Sequence, residues 1–300
     1  RVGWAAFGYD FVAAMLLVDL VGLVLLARLG QREGSDAGVW VWLLAMPMLR
    51  ALPVLRFDLA PTVLAIGGLL VIHRRPGLFG ALAGVGAMIK AWPIALLFGE
   101  WDRRRLLGAG AGAAAAIVFI FVLSAFSFSG DQLGFLKEEN GRGLQVESVA
   151  SLPWHLRQYV TGREIDAGVR YRAWEIEDHG ADVTADVLKW LSLAALIGAG
   201  FWWLARSRAI RGRETLAKAS VSRDFVFTLV LLLLVTSRVL SPQYMIWMLG
   251  LSAVVLTARA SAVKRAAGRW SRQRSSPPPP TARWAPTAPP TTSTARPSSC

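Results

Sequence analysis

Apolar residues in this chain gather into eight blocks, at 7–29, 39–55, 57–72, 77–98, 106–126, 187–205, 225–236 and 243–257. Several reach the roughly 20 residues that cross a bilayer as a helix; others are shorter or broken by proline. A chain in lipid must satisfy its own backbone polar groups, so such blocks fold as helices. The expected fold class is an all-α polytopic membrane protein. Apolar residues make up 54% of the 300, above the roughly 45–50% of soluble domains. A soluble dehydrogenase, a nucleic-acid-binding domain and a disulfide scaffold are thereby excluded. The net charge of +13 reads as membrane topology, so the expected partner surface is the lipid bilayer and no nucleic acid. The single cysteine, Cys300, gives no intramolecular disulfide and no cysteine metal site.

Basic residues cluster in particular connections: Arg28 and Arg32, His73-Arg74-Arg75, Arg103-Arg104-Arg105, a run from Arg206 to Arg223, and a run from Arg259 to Arg274. The long connection at 127–185 instead carries ten acidic residues against six basic ones. With every basic cluster in the cytoplasm, three segments face outside: the Arg56-Phe57-Asp58 turn, the long acidic loop, and the 237–244 turn. The expected location is the plasma membrane, multi-pass, with the active side extracytoplasmic.

Block 77–98 has basic clusters on both sides, so both of its ends belong in the cytoplasm. Two limbs of about 11 residues, roughly 16 Å each, enter over half the core and return. Pro93 breaks the helix in the middle. The block therefore reads as a re-entrant hairpin with Lys90 at its apex, where irregular backbone needs cover from protein or a wet cavity. The alternative is one kinked crossing with Lys90 snorkelling.

The expected organisation is a transmembrane domain at 1–258, a basic cytoplasmic juxtamembrane segment at 259–274, and a disordered Pro/Ser/Thr-rich tail at 275–300. The chain starts at Arg1, which reads as a truncated amino terminus. The small-residue stretch 108–116 reads as a tight helix-packing face. Segment 151–160 is suited to lie flat on the outer interface and cover a cavity.

Ionisable residues inside apolar blocks are functional candidates, because each is expensive there unless paired or wetted. They are Asp10, Asp19, Arg50, Lys90, Lys189 and Arg238. Asp19 reads as a structural partner of Arg50 or of helix backbone, and Lys189 as a snorkelling residue. Lys90 and Arg238 project toward the outer half of the bilayer, where the Arg56–Asp58 turn, the Asn140–Ser148 segment and the Ser237–Tyr244 turn also lie. Lys90 and Arg238 suit a phosphate; Gln145, Glu147, Gln243 and Tyr244 suit sugar hydroxyls. Taken singly these signals are weak: Arg56–Asp58 also reads as a local ion pair, and Gln145–Ser148 as a helix start. His73, His155 and His179 have no metal-ligand spacing and read as interfacial residues, and Glu175-Ile176-Glu177 is an unsupported acidic pair. No metal site is expected, and there is no phosphate-binding glycine loop or nucleophile elbow.

Four segments, RFDLAPTVLAIGGLLV, GALAGVGAMIKAWPIALLFGEWDRRR, GRGLQVESVASLPWHL and SRVLSPQYMIWML, resemble glycosyltransferase family 87 in order and spacing, over about 7–257. This actinobacterial-rich family of GT-C type includes polyprenyl-phosphomannose-dependent alpha-mannosyltransferases. The resemblance implies a GT-C-like bundle of transmembrane helices with an outward-facing cavity, a polyprenyl-phosphate sugar donor, and no cofactor or metal. It places Lys90 and Arg238 on the phosphate side and Arg56, Asp58, Gln145 and Glu147 in the cavity. Such enzymes usually carry their catalytic acid in the first extracytoplasmic loop, and this chain is expected to start beyond it. Asp58 and Asp10 are the nearest outer-face acids, and neither matches that position.

The expected function is a membrane hexosyltransferase, a mannosyltransferase in the first instance, moving a sugar onto a cell-envelope glycolipid or polysaccharide acceptor. A transporter or flippase, and a non-catalytic subunit that binds a lipid carrier, are the alternatives. A transporter would show two related halves and cytoplasm-facing polar residues, and the sequence shows neither.

Overall fold

The computed structural model describes residues 4–127, 141–171 and 173–266. The expected tail at 275–300 and the second half of the juxtamembrane segment, 267–274, lie outside the described residues.

The helices follow the apolar blocks closely. They are α1 (Trp4–Glu33), α2 (Ala37–Met48), α3 (Leu52–Leu55), α4 (Leu59–Val71), α5 (Pro76–Ile89), a 3-10 helix (Trp92–Gly99), α6 (Arg103–Ser127), α7 (Leu152–Thr161), α8 (His179–Arg211), α9 (Thr215–Val235) and α10 (Met245–Thr257). The one departure from an all-α chain among the described residues is an antiparallel hairpin of β1 (Ala167–Arg170) and β2 (Ala173–Ile176) in the long loop. The protein is an all-α polytopic membrane protein in every other respect.

Three stretches are long and apolar enough to cross a membrane: Gly8–Glu33, Arg103–Phe126 and His179–Arg211. Their apolar side chains, among them Leu16, Leu17, Phe119, Leu123, Trp190 and Phe201, point outward, as lipid-facing residues do. The shorter α4 is apolar all round and sits in the middle. Leu59, Ile66 and Leu69 on it are fully buried, against Leu26 and Leu29 of α1, Phe79 of α5, Leu96 of the 3-10 helix and Ile246 of α10.

The block at 77–98 is a hairpin. α5 runs up for 14 residues, about 21 Å. The chain then turns through Lys90 in extended conformation and returns in an 8-residue 3-10 helix, about 16 Å. The limbs are thus unequal, and the second is not α-helical. The ends of the block meet: His73 Nδ1 lies 2.9 Å from Glu100 Oε2, and the Arg105 guanidinium donates to the His73 carbonyl. A single crossing, even a kinked one, would separate these ends by the thickness of the bilayer, so that alternative is excluded. His73 is correspondingly buried rather than interfacial.

α5 packs on α6 with little between the backbones. A Cβ at Gly80 would collide with the Ala109 carbonyl, and one at Gly84 would come within 2.6 Å of the Ala113 oxygen. The small-residue stretch at 108–116 is therefore the packing face expected of it.

The elements alternate in direction and sort the polar residues to two ends. At one end, Arg223 Nη1 lies 2.5 Å from buried Glu33, Ser261 Oγ donates to Asp224, and Trp101 Nε1 donates to Ser222. The described basic clusters all belong to this end. At the other end Phe11 packs edge-on against Phe57 at 5.0 Å, and the Gln145 amide donates to the Arg238 carbonyl. The Arg56–Asp58 turn, the described part of the long loop and the 237–244 turn all lie there. Asp19, however, does not meet Arg50. Trp42 Nε1 donates to it at 2.9 Å, while Arg50 is exposed at the turn after α2 with φ of 56°. An indole N–H from a neighbouring helix satisfies the carboxylate at that depth more cheaply than a distant cation.

Candidate functional site

Lys90 stands at the apex of the hairpin because its backbone is extended there and Pro93 keeps the chain from continuing as α-helix. Its ammonium lies 3.6 Å from Asp58 Oδ1, 5.2 Å from the Tyr244 ring centre and 5.7 Å from that of Trp247. Asp58 precedes α4 but caps nothing with its side chain. Instead it accepts from Trp247 Nε1 at 2.9 Å. Trp247 is stacked between Tyr244, at 4.0 Å, and Trp92, at 5.3 Å. Lys90 is thus held by a buried carboxylate below and aromatic faces beside it, with 30% of its side chain still exposed against 3% for Asp58.

That exposed part looks into a cavity of about 570 Å³ at the same end of the molecule. Six of the residues singled out in the sequence line it: Arg56, Lys90, Gln145, Glu147, Gln243 and Tyr244. They come from four separate stretches of chain, the turn after α3, the hairpin apex, the loop before α7 and the turn before α10, and the β-hairpin adds Tyr171 and Trp174. Three cations, Arg56, Lys90 and Arg142, and one carboxylate, Glu147, line this space. Asp58 beneath Lys90 and Glu147 on the wall offset two of the three positive charges, and the one in excess suits an anion.

Lys90 has its counter-charge within the protein, in Asp58. Two expectations change. Asp58 underlies Lys90 and does not itself line the cavity. Arg238 lines a neighbouring cavity, of about 480 Å³, rather than the one that Lys90 enters. Its carbonyl accepts from Gln145, so its turn anchors the loop while its side chain lies on the other side of it. Asp10 is exposed on α1 beside the Phe11–Phe57 contact and lines neither cavity. α7 is also absent from the lining of the Lys90 cavity, whose cover is the β-hairpin. Its apolar residues Leu152, Leu156, Tyr159 and Val160 are exposed instead.

Arg142, to which the sequence pattern assigns no role, lines both cavities. The signal was present, an arginine flanked by Gly141 and Gly143, but no local pattern says which way such a residue faces. Among the described residues no three His, Cys, Asp or Glu side chains come together as a metal ion would need.

The model of glycosyltransferase family 87 matches residues 2–237. The chain belongs to glycosyltransferase family 87. No curated protein and no solved structure matches it. As a family 87 member with membrane-spanning helices it is a membrane glycosyltransferase. The matched residues of the family include Arg56, Asp58, Lys90, Arg142, Gln145 and Glu147 and stop before Arg238, Gln243 and Tyr244. The structure nevertheless brings Gln243 and Tyr244 to the same cavity as the matched residues.

Proposed function

We propose that this glycosyltransferase moves a hexose, mannose in the first instance, from a polyprenyl-phosphate donor to a glycolipid or polysaccharide acceptor of the cell envelope. We further propose that it works in the plasma membrane with the cavity on the extracytoplasmic side. The observation that carries the reading is the cavity: Lys90 at a hairpin apex, Arg56 and Arg142 around it, and the amide and hydroxyl groups of Gln145, Gln243 and Tyr244 on the same walls. The gathering of basic residues at the opposite end supports the orientation.

In this reading Lys90 and Arg56 meet the phosphate of the donor. Charge builds on the bridging oxygen as its bond to the anomeric carbon breaks, and fixed cations stabilise it without reorganising. Asp58 and Trp247 hold the Lys90 ammonium in place, so its position does not depend on the ligand. Gln145, Gln243 and Tyr244 hydrogen-bond the sugar hydroxyls. The acceptor hydroxyl attacks the anomeric carbon, giving its proton to a carboxylate, while the electron pair of the broken bond leaves with the phosphate. The described cavity offers Glu147 as its one lining acid; Asp58 is engaged by Lys90 and Trp247 and unsuited to that step.

The test uses membranes holding the full-length protein, radiolabelled polyprenyl-phosphomannose and a mannolipid acceptor. Transfer is expected, together with a loss of at least a hundredfold in Lys90→Met at unchanged membrane insertion. Donor binding without transfer would favour the lipid-carrier-binding subunit, and wild-type transfer by Lys90→Met would overturn the phosphate role.

A further inference from the structure

The second cavity, of about 480 Å³, lies within the range of small-molecule sites. Its walls differ in chemistry from those around Lys90. Glu175 of β2 and Asp182 and Asp186 of α8 line it, together with Arg142, Arg170 and Arg238. The two aspartates are one turn apart and share a face of their helix.

Glu175 is the unusual member. It is 3% exposed, and its Oε1 is buried with no hydrogen-bond partner among the described residues. A buried carboxylate oxygen left without a donor is costly, and native structures rarely keep one without a reason. Gly143 stands opposite: a Cβ there would come 3.1 Å from Glu175 Oε2. A side chain at that position would press on the carboxylate. Five carboxylates, Glu175, Glu177, Asp178, Asp182 and Asp186, against three arginines, Arg142, Arg170 and Arg238, leave the lining net negative, which disfavours a phosphate. A metal would need three or more ligands in one place, and among the described residues no such group exists. Hydroxyl groups remain as the donors that carboxylates of this kind accept from.

We propose that this second cavity is an acceptor subsite for an uncharged, polyhydroxylated sugar, with Glu175 accepting a hydrogen bond from one of its hydroxyls and Asp182 and Asp186 binding others. Arg142 lines both cavities, so one side chain separates donor phosphate from acceptor sugar. The proposal rests on the glycosyltransferase reading of the Lys90 cavity.

The experiment uses the full-length protein in lipid nanodiscs and two probes, methyl α-D-mannoside and a polyprenyl phosphate, with the affinity for each measured separately. Glu175→Gln is expected to weaken mannoside binding at least tenfold and to leave polyprenyl phosphate affinity within twofold. The double variant Asp182→Asn with Asp186→Asn, at exposed positions, is expected to do the same and decides the matter where Glu175→Gln does not fold. Lys90→Met should show the reverse pattern. Unchanged mannoside affinity in the variants, or no mannoside binding by the wild type, would overturn the subsite while polyprenyl phosphate binding persists. Failure of the wild type to bind polyprenyl phosphate would count against the donor reading instead.

Discussion

His73 and Glu100 stand on either side of the hairpin, and their side chains meet at 2.9 Å with both residues buried. The chain therefore enters and leaves the hairpin at one end of the molecule, and Lys90 is carried to the other. Ser222 of α9 bonds the free imidazole nitrogen at 2.8 Å and also accepts from Trp101. Three elements are thus tied at the point where the hairpin closes.

Removing one partner of this buried pair should destabilise the fold. Glu100→Ala is expected to cost about 3 kcal/mol, since it leaves the imidazole facing an empty, desolvated site. Thermal unfolding in detergent reads the loss. The double variant with His73→Ala should cost less than the two single changes added together.

Lys90 and Asp58 should behave as a coupled pair in donor binding. Asp58→Asn leaves the ammonium on the cavity wall but removes its anchor, so donor affinity should fall several-fold and less than in Lys90→Met. Trp247→Phe, which loses the indole donor to Asp58, should show a smaller change of the same sign. Full donor affinity in Asp58→Asn would show that the aromatic rings alone position Lys90.

Gly80 permits the closest approach of α5 and α6. Gly80→Ala should destabilise by about 1–3 kcal/mol through overpacking, and Gly80→Leu should prevent insertion of a folded hairpin. Gly110→Ala, on the same helix as Ala109 with open space around it, is the control and should be neutral or slightly stabilising.

Asp178 caps the start of α8 from outside the apolar span. The Gly180 amide donates to it, as does Trp154 Nε1, and these bonds, with Arg157 and His179 nearby, hold its carboxyl below the ordinary aspartate value. A depressed folded value means that the cap's contribution is present above the unfolded value, about 3.9, and is lost as pH falls through the folded one. Protection of the Gly180 amide from hydrogen exchange should persist at pH 5 and disappear under stronger acid. In Asp178→Asn that pH dependence should vanish.

Orientation is open to a labelling experiment. In a Cys300→Ser background, Arg163→Cys lies in the loop at the cavity end, and Gly212→Cys lies at the basic end between α8 and α9. A membrane-impermeant thiol reagent applied to intact cells should label the first and spare the second. The reverse result would place the cavity in the cytoplasm.

Much of this architecture is legible in the sequence because its signals are local. Hydropathy marks the helices of the bundle, though not α7 in the polar loop, and basic residues mark one end of the bundle. Pro93 and the two flanking basic clusters point to a block at 77–98 that turns back with Lys90 at its apex, and the contact of His73 with Glu100 decides it. The resemblance to family 87 rests on short contiguous motifs for the same reason. What the tertiary structure decided is which side chains face one another. Asp58 and Trp247 meet across 189 positions of sequence, and that contact turns a predicted cavity acid into the anchor of Lys90. The packing of the long loop brings Arg142 and Arg238 to one cavity and leaves an oxygen of Glu175 without a partner among the described residues. Such outcomes depend on the angles at which helices and a β-hairpin pack. Those angles are set by contacts between distant residues, such as the close approach of Gly80 to Ala109, which no window of sequence contains.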